Sequence, residues 1–228
     1  KQKPTKTKKI SLNSFASSLK KPWQDSYLLI KNRPDFLLFQ KGFMAGGVGL
    51  MLMAPALIIF YVDMLHLSHA NVSISRLIWM GSGFVLSSPL WRRAITSYHL
   101  NNITAVLCLG FGLFPLLLLL SKFSLLWLNI SLLFYGITQG GSHLIWHLSG
   151  SFFAGKDNSA QFSTVNVLTV GMRGVIAPLT GCILCKLLGP ITVLLLGSIC
   201  CFYGFFVMTK KYCSQYIDKL FNKKNIID

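Results

Sequence analysis

Three observations predict an all-α, polytopic membrane protein with six transmembrane helices. The 228-residue chain holds six apolar runs, Phe43 to Val62, Ser73 to Leu90, Ile103 to Leu120, Ser124 to Leu148, Thr164 to Cys185 and Ile191 to Met208, near the roughly 17 to 25 residues a helix needs to cross a bilayer. Hydrophobic residues make up 53% of it and charged ones 12%, with six acidic residues that are all Asp; a soluble fold would expose too much apolar surface. The third observation is where the charge lies. Of 22 Lys and Arg, ten fall between Lys1 and Lys41, two are Arg92 and Arg93, one is Lys156 and five lie between Lys210 and Lys224, all on what would be one side. Only Lys122 and Lys186 fall on the other. The positive-inside rule then puts both termini in the cytosol of an integral protein of the cytoplasmic (inner) membrane.

Residues 1–34 read as a basic cytosolic arm or a linker between two halves, 35–209 as the six-helix membrane domain and 210–228 as a basic cytosolic tail. A net charge of +16 invites a nucleic-acid partner, but juxtamembrane lysines attract anionic membrane lipid at about 1 kcal/mol each, which accounts for them without nucleic acid. Leu12, Phe15 and Leu19 recur at helical spacing before Pro22 stops the pattern, which would suit a short helix lying on the membrane; a solvated, flexible linker is the expected state. The first apolar run starts too late and is too long for a secretion signal. A chain that starts with Lys rather than Met is expected to be a piece of a longer protein.

Polar residues divide the six runs unequally. The first shows Pro55, glycines and methionines. The second carries Ser73, Ser75, Arg76, Ser82, Ser87 and Ser88; the fourth Asn129, Thr138, Gln139, Ser142, His143 and His147; the fifth Asn166, Thr169 and Arg173. The third and sixth contain almost nothing polar and are free to face lipid. A charge at mid-bilayer costs at least ~2.5 kcal/mol on insertion scales, so Arg173 has to face a cavity or a partner. The second, fourth and fifth helices are therefore expected to surround a polar path. Gln139 and Arg173 fall at similar depth on helices running in opposite directions, which predicts one shared site. Gln139, His143 and Trp146 or His147 lie on one face of the fourth helix, and Asn166, Val170, Arg173 and Ala177 on one face of the fifth. The substrate-pathway candidates are thus Arg173, Gln139, His143, His147, Asn166, Arg76 and Trp146. Gly171, Gly174, Pro178 and Gly181 form an adjacent stripe where another helix can approach closely. Gly140 and Gly141 permit close packing or a local break beside Gln139.

Chemistry at these residues is not expected. His143 and His147 have the i, i+4 spacing of a metal pair, with pathway lining and hydrogen bonding between helices as the other roles open to them. The H-x-x-x-H boxes of membrane desaturases need further histidines on the same side, whereas His66 and His69 belong to an outer loop and His99 to an inner one. Cys182 and Cys185 are spaced C-x-x-C without the other ligands a metal needs, and the cysteines within the runs read as small hydrophobes. Intramembrane proteolysis of the rhomboid type takes its base from a later helix than its nucleophile, and after Ser142 the histidines are on the serine's own helix. Neither G-x-S-x-G nor H-E-x-x-H occurs. The chain reads as a non-enzyme with no cofactor and no metal.

Asn32-Arg33-Pro34-Asp35-Phe36 leading into Gly42-Phe43-Met44-Ala45-Gly46-Gly47-Val48-Gly49, Ser88-Pro89-Leu90-Trp91 before a basic loop, and Gly171-Met172-Arg173-Gly174 followed by Ala177-Pro178 and Gly181 make the chain resemble the C-terminal half of a major facilitator superfamily transporter. The resemblance covers about Lys31 to Lys210. It implies that the first, second, fourth and fifth helices line a central cavity and the third and sixth are peripheral, a division that polarity reaches independently for all but the first. The loop Trp91-Arg92-Arg93-Ala94-Ile95-Thr96-Ser97 lacks the family's Gly and Asp, which speaks against gating by that loop. Such transporters are two six-helix bundles rocking about a midplane site, so the resemblance implies pairing with an N-terminal six-helix half, in the same or a separate chain, or a homodimer. The expected function is secondary active or facilitative transport of a small solute; the rival is a non-transporting membrane subunit or a degenerate transporter fragment. Arg173 and Arg76 meet no acidic residue within the membrane in this half, which favours an anionic or zwitterionic solute. Proton coupling would need His143, His147 or carboxylates of the other half.

Overall fold

The computed structural model describes residues 12–155 and 158–224; among them every regular element is helical. Helix α1 spans Leu12–Asn32. Helix α2 (Pro34–Ile59) runs on through a π-helical turn at Phe60–Met64. Helix α3 (His69–Ser75), a second π-helical turn (Arg76–Met80) and α4 (Gly81–Ser97) follow one another without a break. Then come α5 (Leu100–Leu119) with a short 3-10 turn (Leu120–Lys122), α6 (Leu125–Ala154), α7 (Ser159–Leu188) and α8 (Pro190–Lys224). Each of the six apolar runs lies inside one of these helical stretches. Lys156 falls outside the described residues.

Local chemistry sets the ends. Ser68, Ser124 and Asn158 stand just before α3, α6 and α7, and their side-chain oxygens accept from the backbone N–H of Asn71 (3.2 Å), Leu126 (3.3 Å) and Ala160 (3.0 Å), satisfying donors that a helix start leaves open. Pro34 and Pro190 open α2 and α8, where a missing N–H costs nothing. Gly155 (φ 55°) and Gly189 (φ 80°) stop α6 and α7 in a region a side chain disfavours.

Four helices are long and apolar enough to cross a membrane: Pro34–Met64, Leu100–Lys122, Ser159–Leu188 and Pro190–Thr209. The second and fourth runs lie in long helices that carry the polar residues singled out above, and these dilute their apolar character.

One expectation changes. The arm is not an open linker from residue 12 onward: α1 continues through Pro22. Ser26 is buried, and Leu29 and Ile30 pack against the core where α1 meets α7 and α2; that contact offsets the hydrogen bond an internal proline removes. The side chains of Leu12, Phe15 and Leu19 lie outside the described residues. The tail also begins as helix, because α8 passes residue 209 without interruption to Lys224.

Helix α2 packs most extensively against α8 and α7, α5 against α8 and α6, and α4 against α6. The apolar third helix therefore sits inside the bundle, with 61% of its most apolar stretch buried, whereas α7 buries 17%. What α5 leaves exposed is a narrow apolar stripe that includes Val106, Leu113 and Leu116, and α8 shows a similar one in Leu195, Ile199, Tyr203 and Phe206. Helix α7 buries one seam, Phe162, Asn166, Arg173, Ala177 and Gly181 among it, and exposes most of its remaining circumference, threonines included.

Candidate functional site

The polar residues gather in two seams. In the first, between α2, α6 and α7, Gln40, Ser149 and Asn166 are buried. Gln40 Nε2 donates to Asn166 Oδ1, Asn166 Nδ2 donates to Ser149 Oγ at 2.7 Å, and Thr169 Oγ1 lies 3.5 Å from Gln40 Oε1. Polar groups in an apolar interior are stable only when paired, and here one helix's amide completes another's.

Around this network runs a ladder of rings. Phe36 lies 5.0 Å from Phe162 and 5.2 Å from Phe153, Phe39 stacks on Phe43 at 5.4 Å, and Phe43 meets Trp146 at 6.1 Å. An arginine sits on each end. Arg33 lies 5.3 Å above Phe162, donates to Phe153 O at 2.9 Å and pairs with Asp35 at 3.2 Å. Arg173 lies 4.5 Å above Phe43 and donates through Nη1 to Phe43 O at 2.7 Å. Gly47 is what admits it: a Cβ there would overlap the Arg173 guanidinium. Arg173 is 8% exposed, so the carbonyl and ring face supply part of the solvation that burial removes.

The second seam joins α4 to α6 through glycine. A Cβ on Gly83 would meet Leu133 O, one on Gly136 would meet Met80 O, and one on Gly140 would stand 2.9 Å from Ser87 Oγ. Trp91 Nε1 donates to Ile137 O at 2.6 Å and Ser87 Oγ lies 3.3 Å from the same carbonyl. Helix α6 does not break at Gly140 and Gly141; both positions serve close packing.

The predicted candidates are thereby distributed. Asn166, Arg173 and Trp146 belong to the first seam. Gln139 belongs to neither: its Nε2 donates at 2.9 Å to Tyr135 Oη of its own helix, whose ring packs against Phe111 and Phe114 of α5, and among the described residues no hydrogen bond links it to Arg173. The polar α6 residue at the cavity beside Arg173 is Ser142, with Ile145 next to it. His143 is exposed and sets its ring edge-on to Phe84 of α4 at 5.5 Å; His147 is exposed, and so is Arg76, at the start of the π-helical turn. The small-residue stripe also splits. A Cβ on Gly181 would meet Leu52 O of α2, Gly174 has Met51 at 4.0 Å, Pro178 is half-buried, and nothing lies within 4 Å of Gly171.

Gln40, Ser149, Ser142 and Gly47 were not singled out from the sequence as site residues. Gln40 carried a signal, being four residues after Phe36 and next to Phe39 in the apolar phase of α2. Among the described residues no group of three or more His, Cys, Asp or Glu comes close enough to hold a metal. No protein-family model, no curated protein and no solved structure matches this chain.

Proposed function

We propose that the chain is one six-helix half of a facilitator-type secondary transporter, inserted in the cytoplasmic membrane with both ends cytosolic, and that it moves a small anionic or zwitterionic solute when paired with a second half. The observation that carries this reading is how little of α7 is covered: 17% of its most apolar stretch is buried against 61% for α5. Its uncovered face sets Gly171 and Gly174 beside Val167, Val175 and Leu179, the mixture of small and apolar residues on which a second membrane helix packs. The charge balance supports an anion, since Arg76 stands exposed on a helical stretch, residues 69–97, that carries no carboxylate.

Two measurements test it. Co-expression with a six-helix segment encoded upstream is expected to give a co-purifying complex that takes up solute, and uptake is expected to fall with Arg76→Ala. If the chain purifies as a monomer, captures no second bundle and transports nothing in liposomes, the transport reading fails and a non-transporting subunit or transporter fragment takes its place.

A further inference from the structure

The positive charge of Arg173 is only partly answered by its surroundings. Nη1 donates to Phe43 O, and among the described residues neither Nε, which is buried, nor Nη2 has a hydrogen-bond partner. Among the described residues no carboxylate pairs with it: Asp35 pairs with Arg33, Asp25 lies within α1 and Asp63 in the turn that ends α2. Because the guanidinium turns into the bundle against α2, a second half docking on the open face of α7 would not bring a carboxylate to it. A buried cation left without a counter-charge is strongly unfavourable.

Beside the guanidinium lies a cavity of about 40 Å³, shared by α2, α5, α6 and α7 and lined by Arg173, Ser142, Thr104 and Cys108 among others. Its volume limits the occupant. A water needs roughly 10–15 Å³ measured this way, so the space a water-sized sphere reaches beside the guanidinium, partly open at its mouth, holds a few such particles. Its donors limit the occupant further. Thr104 Oγ1 gives its proton to Leu100 O at 2.8 Å, and the Cys108 thiol points at Gly42 O, 3.9 Å away. Ser142 makes no hydrogen bond to any described residue, so its hydroxyl and the Nη2 hydrogens of Arg173 are the donors available; Nε is too enclosed for a water-sized particle to touch. Water would accept from them but leave the charge unanswered, whereas a halide, only slightly larger than water, does both.

We propose that this cavity binds one monatomic inorganic anion, a halide, held by Arg173 and Ser142 as a resident counter-ion. The ion is not the transported solute, and the site does not depend on the transport reading.

The test uses the purified full chain in chloride, bromide or gluconate at matched ionic strength. Thermal unfolding is expected at a higher temperature in chloride or bromide than in gluconate, with a saturable dependence on halide, and chloride NMR lines broadened by the protein are expected to sharpen as bromide displaces chloride. Ser142→Ala is expected to weaken halide binding about tenfold, and Arg173→Gln to abolish the halide dependence; where Arg173→Gln does not fold, Ser142→Ala carries the test. Equal stability in chloride and gluconate, the result for a cavity holding water alone, overturns the site. So does a halide dependence that Ser142→Ala leaves unchanged.

Discussion

Between α4 and α6 the helix backbones touch, because Gly83, Gly136 and Gly140 put carbonyls where side chains would otherwise stand. Between α2 and α7 the contact runs largely through side chains, Gln40 to Asn166 and Arg173 to Phe43, with a ladder of rings alongside. The two seams solve different problems. Close backbone approach gains dispersion contacts, and the polar groups in the glycine seam, Ser87 Oγ and Trp91 Nε1, turn to a backbone carbonyl, Ile137 O. Between α2 and α7 the buried polar side chains meet each other, and the backbones close in at Gly181, where a Cβ would meet Leu52 O. The α4–α6 seam therefore leaves His143 and His147 exposed, with the His143 ring edge-on to Phe84, and the α2–α7 seam buries Arg173.

The sharpest way to break this contrast is to add bulk at the glycine seam. Gly136→Leu is expected to cost at least about 3 kcal/mol, the upper range for overpacking, because the Cβ meets the fixed carbonyl of Met80; unfolding in mixed micelles measures it, and a near-native value would show the seam is looser than described. Next comes the polar network. Gln40→Leu and Asn166→Leu are each expected to cost about 1–3 kcal/mol by leaving the other amide unsatisfied, while the double variant costs less than their sum, with a coupling of about 0.5–3 kcal/mol. Strict additivity would mean that the two amides do not depend on each other.

Smaller effects sharpen the picture. Trp91→Phe removes the N–H that reaches Ile137 O across the glycine seam and is expected to cost about 1 kcal/mol while leaving the fold intact. At the bottom of the scale stands Gly171→Ala, expected within ~0.5 kcal/mol of the native chain, since nothing lies within 4 Å of it. In a chain joined to its second half the same substitution is expected to weaken the assembly, read by co-purification, if a helix packs on that face of α7.

Much of the architecture was legible before any coordinates. The apolar runs mark the helices, and Ser124 caps α6 where its run begins, whereas the caps at Ser68 and Asn158 and the glycine stops at Gly155 and Gly189 lie outside the runs, so those helices extend into the flanking residues. The α1 helix was less legible. Its Pro22 weakens the local signal, and the compensation comes from α7, more than a hundred residues away.

The sequence by itself determined which residues are polar, on which helix and on which face of it, since the face follows from a fixed 3.6-residue period. It also determined that Arg173 needs an answer to its charge. Only the tertiary structure decided what meets that charge: the carbonyl and ring of Phe43 and the notch at Gly47, not Gln139. Periodicity sets the direction of a side chain on its own helix. How far each helix is rotated toward its neighbours depends on how rings, glycines and amides from several helices fit together at once, and that sum is made only when they pack.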